Sequence, residues 1–164
     1  MLCFALHSLS VAAKDASSAS RNGEPKKIPV CHRFGEWTDT ERKAWTSICQ
    51  EGKYVVTERD PETCLGKTVI SGKFLKDILT TSSFSQRIEE TGLVLSGVTI
   101  SSPLEIESGK VIPGRIVFDC VQSDSLDLAG VTISGPLSFT SRKLSKIDLT
   151  VSYLKGYCIL QAAT

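Results

Sequence analysis

The sequence predicts a mostly β chain: a short solenoid of parallel strands with a small helical cap on its N-terminal side. Three observations predict it. Apolar pairs at i and i+2 recur at near-constant spacing from Leu93 onward. A sixteen-residue stretch returns 33 residues later with ten identities. The segment before Leu93 instead carries helix-start signals and apolar residues at helical spacing.

The chain begins MLCFALHSLSVAA, an apolar run over residues 1–13 ending in Val11, Ala12 and Ala13. It is too short to span a bilayer. It resembles the apolar core and small-residue cleavage site of a secretory signal. This predicts a periplasmic or secreted protein. His7 interrupts the run and no Lys or Arg precedes it, so a frayed helix in a cytoplasmic protein is the alternative. Residues 14–29 are rich in Ser, Lys and small residues, with almost nothing to bury, and read as a disordered linker.

Residues 30–92 read as the helical cap. Thr38 and Glu41 form a capping box, in which each side chain can bond the other's backbone N–H. Ala44, Trp45, Ile48 and Cys49 then share one helical face, and Gly52 suits the stop. Tyr54 to Val56 suits a short strand, and Asp60-Pro61-Glu62 is turn chemistry. A second helix is predicted from about Gly72 to Leu79, with Phe74, Leu75, Ile78 and Leu79 on one stripe. Residues 84–90 add a further helical turn before Gly92.

Residues 93–164 change period. The inward positions of the recurring pairs are Leu95, Ile106, Phe118, Leu128, Phe139, Leu149 and Leu160. Single apolar residues, such as Ile100 and Ile133, stand between them. Residues 95–110 and 128–143 share the string Gly-Val-Thr-Ile-Ser and a following Pro-Leu. Fixed-period self-similarity marks a repeat architecture. Strands this short bury too little to fold as hairpins. Stacked in register, each inward residue packs on its equivalents and the backbone pairs between layers. At about 20–22 residues per layer the region holds about three, near the minimum for a stable array. A helical cap would cover the apolar end. Nothing after Leu160 resembles a second cap, which predicts either self-association there or a remnant of a longer repeat protein.

Leu126-Asp127-Leu128 and Ile147-Asp148-Leu149 are similar to the repeat centres of quasi-pentapeptide-repeat proteins. The resemblance covers about residues 93–164 and implies a right-handed parallel β-helix. Two departures are visible. Leu or Ile stands two places before the centre, where the family prefers a small residue, and the spacing drifts between five and six. They imply a wider or less regular cross-section. Some members of the family mimic DNA through an acidic surface. Residues 91–164 hold six basic and six acidic side chains, so that role is not implied here.

The chemistry-bearing residues are few. Formal net charge is +1, which gives no field for nucleic acid or an anionic membrane surface, so neither partner is predicted. Cys31, His32, Cys49 and Cys64 are the one set with metal-ligand chemistry, but their spacing matches no usual zinc pattern. A Cys31–His32 nucleophilic dyad would need adjacent side chains to meet, with no orienting acid in sight. A disulfide between two of Cys31, Cys49 and Cys64 is favoured, since the cap has little core of its own. Cys158 takes an inward repeat slot and reads as a small hydrophobe. Trp45 reads as core, whereas Trp37 is left open as a possible interaction residue. The reading is a non-enzymatic, exported interaction or scaffold protein with no catalytic residues, metal or cofactor. Its partner is another protein or a second copy. A metal-binding or redox module in the cap is the alternative.

Overall fold

The computed structural model describes Cys31 and residues 36–141, 146–150 and 153–162. The signal-like residues 1–13, the linker 14–29 and His32 lie outside the described residues. Three helices come first: α1 (Asp39–Glu51), α2 (Gly72–Thr80) and α3 (Ser82–Thr91). Two short strands, β1 (Lys53–Val55) and β2 (Val69–Ile70), lie between α1 and α2. Then follow β3 (Leu93–Ser96), β4 (Thr99–Ile100), β5 (Leu104–Glu105), β6 (Val111–Ile112), β7 (Ile116–Asp119) and β8 (Gln122–Ser123). The described strands end with β9 (Leu126–Asp127), β10 (Thr132–Ile133), β11 (Leu137–Ser141), β12 (Ile147–Asp148), β13 (Tyr153–Leu154) and β14 (Cys158–Ala162). Strand does not dominate as a mostly β reading predicts. Helices of 13, 9 and 10 residues stand beside strands of two to five.

The capping box forms as the residue types dictate. The Thr38 hydroxyl accepts from the Glu41 N–H, and the Glu41 carboxylate accepts from the Thr38 N–H. Gly52, at φ +72°, ends α1. Ser71 caps α2 by accepting from the Phe74 N–H. α3 is a full ten-residue helix, longer than the single turn that its sequence suggests. Phe84 and Ile88 are its buried residues, and they pack against the other helices.

All strands of the named sheets pair in parallel. One sheet runs β1-β3-β7-β11-β14, and three smaller ones run β2-β4-β8, β5-β9-β12 and β6-β10-β13. Leu93, Ile116, Leu137 and Cys158 are register partners, in steps of 23, 21 and 21 residues. The same step recurs between β4 and β8, β5 and β9, and β6 and β10. The ladders reach upstream of Leu93, because β1 pairs with β3 and β2 with β4. Five inward positions, Leu95, Ile106, Phe118, Leu128 and Phe139, are buried. Leu149 is half-buried, and the Leu160 side chain lies outside the described residues. Helices and ladders share one apolar core. Gly72 permits their close approach, since a Cβ there would meet the Pro103 carbonyl oxygen at 2.2 Å.

Candidate functional site

Two disulfides organise the cysteines. Cys31 joins Cys49 at the end of α1, within the trio that the sequence singles out. Cys64 joins Cys120, a residue the sequence reading leaves in the repeat pattern. The expectation that only two of Cys31, Cys49 and Cys64 pair is therefore too narrow. Cys120 lies between β7 and β8, in the turn that faces the loop carrying Cys64. Its signal is faint but present: a step of 23 residues aligns Cys120 with Gly97. Cys158 is half-buried in β14, and its backbone is in register with Leu137.

Residues 56–66 form a loop against that turn. Gly66 N–H donates to the Gly97 carbonyl at 2.8 Å, and Val56 N–H donates to that of Ser96 at 3.0 Å. Arg59 Nη1 lies 3.7 Å from Asp119 Oδ2, which also accepts from the Ser96 hydroxyl at 2.5 Å. Within the loop, Asp60 Oδ1 accepts from the Glu62 and Thr63 N–H groups. Bonds from the backbone N–H and hydroxyl of Thr63, with the Glu62 N–H, hold the Asp60 carboxyl below its ordinary value.

Trp37 departs from its reading as an interaction residue. It is 6% exposed and packs among Trp45, Phe74 and Phe84, with ring centroids 4.9–6.2 Å apart. Its Nε1 donates to Asp77 Oδ2 at 3.2 Å. A small helical unit has few core positions, so its largest rings are drawn inside. The edge of Trp37, with Phe84 and Lys73, still lines an open hollow of about 280 Å³.

Glu41 is the charged residue sequence reasoning undervalues. It is 4% exposed and serves two helix starts at once. Oε2 accepts from the Thr38 backbone, and Oε1 accepts from the Ser71 N–H at 2.8 Å and hydroxyl at 2.5 Å. Burial pushes its carboxyl up, but the bonds from Ser71 and Thr38 outweigh it and leave the value lowered.

Among the described residues, no group of three or more His, Cys, Asp or Glu is placed to hold a metal ion. No helix among them is long and apolar enough to cross a membrane. No protein-family model, curated protein or solved structure matches the chain.

Proposed function

We propose that the chain is a non-enzymatic interaction or scaffold protein, exported to an oxidising compartment and built on a short right-handed β-solenoid. The uniform register steps of 21–23 residues in all four parallel sheets support the winding. A right-handed sense is the one that parallel-strand crossovers take almost without exception. The two disulfides support export, because such bonds persist in oxidising compartments.

The observation that carries the interaction reading is the outer row of the last layer. Tyr153, Tyr157 and Ile159 are 64%, 60% and 40% exposed. Ile159 continues a row of register partners through Ser138 and Val117 to Val94. Tyr153 continues a second row through Thr132 to Val111, itself 58% exposed. Exposed apolar residues aligned this way mark contact surfaces for protein. β12, β13 and β14 also end their sheets among the described residues, which favours self-association or a protein partner there.

The test compares the wild-type chain with a Tyr153→Ser/Ile159→Ser variant by sedimentation and by capture from the native host. Concentration-dependent assembly or a captured partner in the wild type, lost in the variant, is the expected result. Equal behaviour of the two would overturn the assignment of this surface. Mass mapping of the mature N-terminus and disulfides tests export separately.

A further inference from the structure

Register pairs Ser96 with Asp119 and Thr99 with Gln122, so Gly97 and Cys120 occupy equivalent places in successive layers. Gly97 has φ +75° and Cys120 has φ +51°. The turn thus asks for a left-handed residue, and the second layer supplies a cysteine where the first has glycine. Cys64, at the other end of the bond, has φ +58°. Among the described residues these two are the only non-glycines with positive φ. A Cβ disfavours this conformation. Such strain persists only where surrounding structure over-determines it.

The second disulfide differs. Cys49 is 2% exposed and its bond sits against α1, whereas Cys64 and Cys120 are both half-buried. Thiol–disulfide exchange needs access for an attacking thiolate. The Cys64–Cys120 bond combines access at both sulfurs with backbone strain at both ends. It also ties one loop to two successive layers, alongside the Gly66–Gly97 hydrogen bond and the Arg59–Asp119 ion pair.

We propose that Cys64–Cys120 is a redox-sensitive clasp, opened by a dithiol reductant to release residues 57–65 from the turns at Gly97 and Cys120. A reductant thiolate attacks one sulfur and forms a mixed disulfide, and the other cysteine leaves as a thiolate and takes a proton. The reductant's second thiol then closes its own disulfide and frees the remaining cysteine. Two electrons pass from the dithiol to the protein bond, giving two thiols and one oxidised reductant. Opening uncovers the Ser96 hydroxyl, 3% exposed when closed, and the Asp119 carboxylate beside it. The clasp is independent of what binds the outer rows.

The experiment titrates the oxidised full chain with dithiothreitol. Thiols are trapped by alkylation and mapped by mass, and parallel samples are cut with a glutamate-specific protease. Cys64 and Cys120 should be alkylated at a reductant level roughly tenfold below that needed to open Cys31–Cys49. Cleavage at Glu58 and Glu62 should accelerate over the same range, with the helices still protected. A Cys64→Ser/Cys120→Gly variant should be cut rapidly without reductant, since glycine suits the turn while the tie is gone. Opening of Cys31–Cys49 first or at the same level would overturn the proposal. So would unchanged cleavage after Cys64–Cys120 has opened, a result the wild-type titration gives even if the variant does not fold.

Discussion

Among the helices, side chains reach across to satisfy backbone ends; in the ladders, the backbone satisfies itself. Glu41 serves the starts of α1 and α2, and Arg87 of α3 donates to the Cys49 carbonyl at the end of α1 at 2.6 Å. Each such contact is made once, between residues of unlike kind. In the ladders, Leu95, Phe118 and Phe139 are register partners, each packing on its own equivalent. The helical contacts are specific and singular, whereas the ladder contacts are repetitive and shared with both neighbours. Loss of one helical contact is thus a local event, and loss of one ladder residue is felt in two layers.

Phe118→Ala tests this most severely. Phe118 is 1% exposed and lies 5.0 Å from Phe139, centroid to centroid. Its truncation should cost about 3–5 kcal/mol in urea unfolding. Leu149→Ala, at a half-buried position nearer the end of the array, should cost only about 1–2 kcal/mol. Equal losses would break the picture of layers that depend on both neighbours.

The disulfides come next. Replacing both members of either pair by Ser should cost about 2–4 kcal/mol. The outcomes should differ in kind. Without Cys31–Cys49, unfolding should stay a single transition, because helices and ladders share one core. Without Cys64–Cys120, hydrogen exchange should rise first in residues 57–65. Uniform exchange across the chain in both variants would erase the distinction.

The same contrast explains what could be read in advance. The ladder residues announce themselves, since burial every second position at a fixed step leaves a period in the sequence. The capping box and the stripe of α2 are equally local signals. The role of Glu41 in bonding Ser71, 30 positions away, leaves no local trace. Cys120 pairs across 56 residues, and only the register reveals that it faces the loop. Trp37 was undecidable because an aromatic near a helix start suits surface and core alike. Long-range singular contacts carry no periodicity, and they make up most of the helical region and of the clasp.

Glu41→Gln probes a singular contact with a smaller cost, about 1–2 kcal/mol at neutral pH, because a hydrogen-bonded carboxylate is replaced by an amide. The folded carboxyl value is lowered. Its contribution is therefore present above the unfolded carboxyl value of about 4.3 and fades as pH falls through the lower folded one. The stability gap between wild type and variant should narrow from about pH 6 to about pH 3. A gap that stays constant would show that packing, not the charge, holds the two helix starts together.

Lys76→Met should have the smallest effect, and it bears directly on how the two regions are joined. Lys76 of α2 lies 3.1 Å from Glu107, just beyond β5, so the pair spans the seam between helices and ladders. The Lys76 bond and charge hold the Glu107 carboxyl below its ordinary value. Both side chains are open to water, at 38% and 65% exposure, so salt and solvent screen the attraction. The seam beneath is apolar: α2 buries Phe74, Leu75, Ile78 and Leu79 in the shared core, and Gly72 meets Pro103 closely. The unfolding midpoint should be unchanged at physiological salt, with a slight loss only at low ionic strength. A clear loss at high salt would mean that the regions are docked by charge, and that the shared core contributes less than its burial implies.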